Sequence, residues 1–532
     1  MPKPTPPKPN LLERAIASVA PGWALKRHQA RGMMALSGGY VGAGYAERFS
    51  GWMPGQGDAD ADTVLSLPEL RGRSRDLVRN SPIAAGAIET QVSHVVGTGL
   101  TLQSRIDHEA LGMSAEQASE RQKIIEREFK LWCESKFCDA TAQQNFYELQ
   151  DLTFRSFLES GDTFPVLAGV TRPGWPYRLA LQIIEADRVR NTDDKGDTES
   201  MVQGIEKNAA GEPVAVHICN RHPGRWVGQV TPKWTRVTIR GASSGRLNVI
   251  HLMRKTRPGQ TRGIPALAPI IALLKQMDRF ANAEVDAAVN SATMALFVRM
   301  ETEAFQDLFK DEAQQKLISQ AQEWDGHVNS GKAVQLLPGE EIQSPTPGRP
   351  NPEFDPFFTA CLKQIGIGLN VPYEVLAKHF SSSYSAARAA LLDAWRTFKI
   401  RRTWLADNFC QPVYEEWFAE AVTLGRVEAP GFFADPAIRK AWCGSKWSGD
   451  GPGAIDPEKE ANAAEKRMAI GLSSLPEEKI AYDGGDWETS HAMQKVVKER
   501  RIADGLEQDP AAAAAPAAGR PGAPPPAPRP AP

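Results

Sequence analysis

The chain has 532 residues and a formal net charge of −2, which argues against a protein that simply coats nucleic acid, since those are usually basic. Apolar residues make up 42% and charged residues 24%, the proportions of a soluble protein able to bury a substantial core. Its six cysteines (Cys133, Cys138, Cys219, Cys361, Cys410 and Cys443) are too scattered for a disulfide-stapled small domain, so reduced thiols are expected.

The opening MPKPTPPKPN has no apolar core and does not read as a signal peptide. Residues 1–66 read as an arm rather than a domain, with an amphipathic piece at 11–20 and a Gly-rich stretch at 37–58. Ordered structure is expected from about Leu67. Over 73–97 the helix punctuation is good: Asn80 or Ser81 can cap, Pro82 suits a first helical position and Gly97 an end. Ile83, Ala87, Ile88, Gln91, Val92 and Val95 supply the inner stripe. Ser114 with Gln117, and Asn145 with Glu148, have capping-box spacing and open two more helices.

From 162 to 253 the period falls towards two. Leu179, Leu181 and Ile183 alternate with other residues, as do Val214, Val216 and Ile218, which gives about six short strands. Residues 266–296 return to a helical period, with an Ala-rich second half that lets neighbouring helices approach closely. A strand at 296–300, a polar helix near 302–324 and a Pro/Gly-rich loop follow. Val413, Trp417, Phe418 and Val422 mark a later helix, whereas Trp442, Trp447 and Ile455 sit among Gly and Pro and read as irregular. Helices are expected at 457–470 and 486–504. Beyond Asp509 the chain is almost entirely Ala and Pro, a disordered tail by composition.

Several patterns resemble chemical motifs without their mechanics. Residues 326–333, GHVNSGKA, nearly match a phosphate loop, but Ala333 has no hydroxyl for magnesium and the flanking periodicity is wrong. His217, Cys219 and His222 lack a second ligand pair, so no metal is expected. The acid pairs Asp193–Asp194 and Glu340–Glu341 read as solvated turn residues. No HExxH or GxSxG occurs, and neither an enzyme activity nor a cofactor is expected. The most apolar segment, 264–274, is too short to cross a bilayer, so no membrane partner is expected.

The stretch that organises the rest is 352–404. Phe357, Phe358, Cys361, Leu362, Ile365 and Leu369 form a helical stripe that Gly366 and Gly368 weaken and Pro372 stops. Ser381, Ser382, Ser383 and Ser385 supply loop and N-cap chemistry. A second helix then buries Ala387, Leu391, Ala394, Trp395, Phe398 and Leu405. Between 378 and 402 six bases (Lys378, Arg388, Arg396, Lys399, Arg401, Arg402) face one acid, Asp393, a local charge of +5. Such a face is either ordinary solvated surface or a surface for phosphates, bound without base readout.

Within this stretch GLNVPYEVL followed by YSAARAALLDAWRTF resembles the phage portal proteins of the lambda family. Two earlier pieces, at 73–100 and 250–278, resemble the same family in the same order. The resemblance implies an α+β portal-type fold, with a β-rich wing, long stem helices, a small clip, a channel loop and helix, and a helical crown. By order, 67–263 would be wing, 264–295 the first stem helix, 296–350 the clip and 351–371 the second stem helix. Residues 372–405 would be channel loop and helix, 406–508 C-terminal wing and crown helices, and 509–532 the tail.

The resemblance further implies a homo-oligomeric ring, typically dodecameric, at one capsid vertex, through which double-stranded DNA is packaged and ejected. The implied partners are the chain itself, the DNA, the terminase large subunit, the major capsid or scaffold protein and head-tail connector proteins. The implied locations are the virion and, during assembly, the host cytoplasm. Channel-side contact would fall to Lys378, His379, Ser381, Ser382, Ser383 and Arg388, with Arg396 and Lys399 beyond them. Lys378-His379 precedes Phe380 where many relatives carry an acid. A rival enzyme reading needs a cluster of perturbed ionisable groups; an oligomeric adaptor without DNA traffic needs none.

Overall fold

The computed structural model describes residues 16–18, 20–27, 54–225, 231–293, 297–300, 340–343, 351–380, 383–452, 457–485 and 487–507. The phosphate-loop look-alike, the polar helix near 302–324 and Ile455 lie outside them. The chain divides into two compact units, Met1–Asp62 and Thr63–Pro532. The first contains short helical stretches at 16–18 and 21–27.

Helical structure begins ahead of the expected Leu67, with a short helix at Ala59–Thr63 and a 3₁₀ turn at Val64–Ser66. Helix α1 (Leu67–Asn80) and helix α2 (Pro82–Val95) follow, broken at Ser81. Ser81 does not cap through its side chain; its Oγ instead donates to Asp278, 3.0 Å away. Strand β1 (Thr101–Ser104) leads to α3 (Ala115–Glu134) and α4 (Phe146–Ser160), and both predicted capping boxes are formed. The β-rich portion comprises β2 (Asp162–Gly169), β3 (Leu179–Glu185), β4 (Met201–Val202), β5 (Ile205–Lys207), β6 (Pro213–Cys219), β7 (Trp234–Thr238) and β8 (Leu252–Met253). They build an antiparallel sheet of order β3-β2-β8 and another of order β4-β5-β6-β7.

The next helix is not one run: a 3₁₀ turn at Ala268–Ile270 precedes α5 (Ile271–Thr293). Strands β9 (Phe297–Met300) and β10 (Glu340–Gln343) pair antiparallel, so Glu340 and Glu341 are strand residues rather than turn residues. Helix α6 (Phe354–Leu369) runs back along α5, with Gly368 against Ile270 at one end and Phe280 against Phe354 and Phe357 at the other. The single turn α7 (Tyr373–Leu376) and the long α8 (Tyr384–Leu405) come next. A π turn at Ala406–Cys410 joins α8 to α9 (Gln411–Thr423) without a break.

The region expected to be irregular is ordered. Trp442 ends helix α10 (Pro436–Trp442), and Trp447 lies in strand β11 (Ser445–Ser448), which pairs with β1 from the other end of the chain. Both tryptophans complete the core. Trp447 packs edge-on against Phe129 and Tyr414, within a cluster that also holds Trp132, Phe146 and Trp417. Burying each such phenylalanine contributes on the order of 3 kcal/mol. Helices α11 (Pro457–Ala469), α12 (Leu475–Asp483) and α13 (Trp487–Ala503) follow; α12 was not anticipated.

One buried polar knot ties the sheet to the helices. Asp162, at the start of β2, is fully buried and accepts from Arg71 of α1 at 2.8 Å and from Arg262 at 2.6 and 3.2 Å. Arg262 is also fully buried and donates to the carbonyls of Val189, Gln203 and Ala186. Every donor of its fork is thereby used, which is the condition for burying a guanidinium. Two glycines permit the approach: Gly161 has φ +89°, and a Cβ on Gly263 would lie 1.9 Å from the Gly161 carbonyl oxygen.

Burial alone would raise the Asp162 pKa, but the Arg262 and Arg71 guanidiniums outweigh it and hold the carboxyl well below its usual range. Asp162→Asn should therefore leave two buried cations short of a counter-charge and cost about 3–5 kcal/mol, read from urea unfolding. Arg73→Ala, on the exposed side of α1, should stay within about 0.5 kcal/mol. A depressed folded pKa contributes stability above the unfolded value of about 3.9 and loses it as pH falls below. The stability gap between wild type and Asp162→Asn should accordingly be flat from about pH 7 to 5 and shrink below about pH 4.

Candidate functional site

The segment from α6 to α8 is held by backbone geometry before any side chain acts. Helix α6 ends on Asn370 in the left-handed conformation, and the Val371 N–H returns to the Gly366 carbonyl at 2.9 Å. Gly366 is required there, because a Cβ would meet the Val371 carbonyl oxygen at 2.5 Å. After α7 the chain turns again at Lys378, φ +53°, and the His379 N–H donates to the Glu374 carbonyl at 3.1 Å. A lysine in the left-handed region costs about 1 kcal/mol relative to helical backbone. The turn projects Lys378, His379 and Phe380 into solvent, the last 50% exposed.

Ser381 and Ser382 fall outside the described residues. Ser383 caps α8, its Oγ accepting from the Ala386 N–H at 3.4 Å. On α8 itself, Arg388, Arg396 and Lys399 fall within an arc of about 80° at 3.6 residues per turn. Arg396 and Lys399 are exposed, and no carboxylate lies within ion-pair distance of either among the described residues. Arg388 has Glu460 of α11 at 3.9 Å, a distance that screens readily in water.

The other two bases of the expected +5 face are turned inward, a correction to the sequence reading. Arg401 donates to the Leu369 carbonyl at 3.2 Å, tying α8 to the end of α6. Burial first, then the neighbouring Arg254, push its guanidinium down to about 10, still charged at neutral pH. Arg402 donates to the carbonyls of His94 and Val95 at 2.9 Å each, and to that of Asp450 at 2.8 Å. It thereby satisfies carbonyls at the end of α2 that have no helical partner, and it stacks over Trp395. The cations left on the outside are Lys378, Arg388, Arg396 and Lys399. Sequence periodicity could not separate them from Arg401 and Arg402, since the carbonyls those two bind come from distant elements.

Other sequence candidates do not converge. His217 lies between Glu206 at 3.2 Å and Thr192 at 3.1 Å, His222 faces Asp187 at 3.4 Å, and the Cys219 sulfur meets Arg190 at 3.4 Å. Among the described residues no three metal-ligating side chains gather. Burial pushes the thiols of Cys133, Cys138, Cys410 and Cys443 upwards, which makes them poor nucleophiles. No described helix is long and apolar enough to cross a membrane.

Comparison with known proteins matches residues 45–402 to the family model "Phage portal protein, lambda family". The chain is 27% identical to portal protein B of Escherichia phage lambda over 495 residues, 89% of this chain and 91% of that protein. It is equally 27% identical to the portal protein of Escherichia phage N15 over 499 residues, covering 89% and 92%. Among solved structures, a chain from the neck of a native GTA particle, computed with C12 symmetry, aligns over 77% of this chain and 94% of its own. That alignment has a TM-score of 0.42 and 13% identity.

The inward and outward bases should separate in stability measurements. Arg402→Ala removes charge-assisted bonds to three carbonyls and should cost about 2–3 kcal/mol in urea unfolding. Arg396→Ala and Lys399→Ala should each change stability by less than about 0.5 kcal/mol.

Proposed function

Because the chain belongs to the lambda family of phage portal proteins, we propose that it closes into a ring of about twelve copies through which double-stranded DNA enters and leaves the capsid. A portal protein is a structural component of the phage virion and not an enzyme. The finer assignments are our reading: wing at 67–263, stem helices at 264–295 and 351–371, clip at 296–350 between them, channel loop and helix at 372–405, and C-terminal wing and crown helices at 406–508. In this reading the terminase large subunit docks on the clip and supplies the force. Scaffold or major capsid protein and head-tail connectors are the other partners, and assembly takes place in the host cytoplasm.

The observation that carries the DNA-channel reading is the sorting of the bases on α8. Arg401 and Arg402 are spent on internal carbonyls, whereas Lys378, Arg396 and Lys399 are exposed and Arg388, half-exposed, faces Glu460 at 3.9 Å. A polyanion sliding through a ring needs shallow, sequence-independent contacts, and a few surface cations repeated by symmetry supply many of them. Strong, buried ion pairs would instead hold the duplex. In sequence, Ser381, Ser382, Ser383 and His379 add further hydrogen-bonding side chains to the same stretch. Exposed apolar side chains on the adjoining helices, Phe357 and Ile367 of α6 with Val285 and Val289 of α5, suit the heterologous contact a closed ring requires.

Two measurements test this. Negative-stain imaging with native mass should give a closed ring with a lumen wider than a duplex of about 20 Å; a compact dimer would overturn the ring. Lys378→Ala combined with Arg388→Ala should lower DNA packaging or retention while leaving ring assembly intact, and the difference from wild type should narrow as salt rises, because the phosphate contacts removed are themselves screened. Normal packaging by the double variant would remove the channel role from these residues.

A further inference from the structure

An apolar groove of about 640 Å³ lies between α8 and the α11–α12 pair. Its walls include Leu392, Trp395 and Phe398 of α8, Leu475 and Tyr482 of α12, and His94 of α2, whose ring stacks on Phe398 at 4.8 Å. Tyr482 is 63% exposed, Leu392 57% and Leu475 52%, so the groove opens to solvent along a mainly apolar lip. The charged groups at its rim are already engaged with one another. Arg467 holds Glu478 at 2.7 Å, which with Ser473 pulls the Glu478 carboxyl down to about 2, and Arg388 faces Glu460. An occupant therefore gains little from charge and most from shape and apolar contact.

We infer that the groove is the seat of this chain's own Pro/Ala-rich C-terminal segment, residues 510–532. Three observations favour that occupant. The first is chemical: past Asp509 the sequence contains only Ala, Pro, Gly and two arginines. Proline-rich segments in the polyproline II conformation dock on aromatic-lined grooves at low entropic cost, because proline has already fixed φ. Trp395, Tyr482 and the His94–Phe398 stack provide that kind of lining, with Pro452 and Pro457 beside them.

The second observation is reach. The described chain ends at Glu507, just past α13, and α13 packs against α12, which forms one wall of the groove. Helix α13 has 17 residues, about 25 Å of rise. At about 3.1 Å per residue, residues 508–532 extend on the order of 75 Å, enough to return along α13 and still line the groove. The third is charge. With the rim acids paired, a segment whose only charges are Arg520 and Arg529 need bury neither, since both can stay at the ends of the contact. This inference does not depend on the channel reading of α8.

A benzophenone photocrosslinker placed at Ala523 or at Ala527 of the full-length chain, followed by peptide mass mapping, tests it. Cross-links should concentrate on 391–398 and 475–482, and Tyr482→Glu or Leu392→Glu should each cut their yield by at least about fivefold, equivalent to about 1 kcal/mol. Both residues are exposed enough to accept a charge without loss of the fold, which circular dichroism would check on each variant. Yield should change by less than about twofold between about 50 and 500 mM salt, since no unpaired ions form the contact. Cross-links spread over other surfaces, or unaffected by both variants, would overturn the inference. So would capture of α5 or α6 of a second copy by a photocrosslinker at Leu392, which would make the groove a subunit interface.

Discussion

The fold depends on a carboxylate that has no access to water. Asp162 stands where α4 gives way to β2, and it is held by Arg71 from α1 and by Arg262 from the segment that leads into α5. Both guanidiniums also bind carbonyls, Arg71 that of Ser160 and Arg262 those of Ala186, Val189 and Gln203. One acid thus sets the angle between the helical frame, the β-rich portion and the start of the long helix. A buried pair of this kind rarely adds much net stability, but it is intolerant of partial formation, and it therefore fixes one arrangement against near alternatives. Gly161 and Gly263 belong to the same device, because no larger residue allows the two backbones to meet.

From that junction α5 and α6 run as an antiparallel pair, and the chain turns through α7 into α8. Each face of α8 has a separate task. Ala394, Phe398 and Leu405 bury one face, Arg401 and Arg402 lock its far end to α6 and α2, and Arg388, Arg396 and Lys399 leave a third face charged. The lock and the charged face are compatible because a guanidinium that fills carbonyl acceptors is withdrawn from any external anion. Rigid support with weak outer contacts would suit the channel role proposed for α8.

The closure of the molecule is carried by its C-terminal part. Strand β11 completes a two-stranded ladder with β1, and the adjoining Asp450 accepts from the Thr98 N–H and hydroxyl, each at 3.0 Å, while its carbonyl receives Arg402. Gly449 and Gly484 bring α12 against the same segment, since a Cβ on Gly484 would lie 2.2 Å from the Gly449 carbonyl oxygen. Elements more than three hundred residues apart in sequence meet at this clasp. Pro452 and α12, next to the clasp, line the groove beside α8.

Local order was legible in the sequence wherever its cause is local. The capping boxes at Ser114–Gln117 and Asn145–Glu148, the period-two runs of β3 and β6, and the stop at Leu369–Pro372 all arise from residues within one or two turns of each other. Three separated pieces in the right order also sufficed to indicate the family, and the family match over 45–402 agrees. What tertiary structure alone decided were features whose partners are remote. Trp447 reads as loop because a four-residue strand between glycines has no periodicity of its own; only β1 makes it a strand. Asp162 and Arg262 carry no pattern that distinguishes them from surface charges until the fold removes them from water. Arg402 looks like one more cation on a basic helix until α2 and Asp450 present carbonyls to it. Sequence set most of the helices, the period-two strands and the total charge; burial, which depends on the whole chain, decided which charges hold the structure and which stay at the surface.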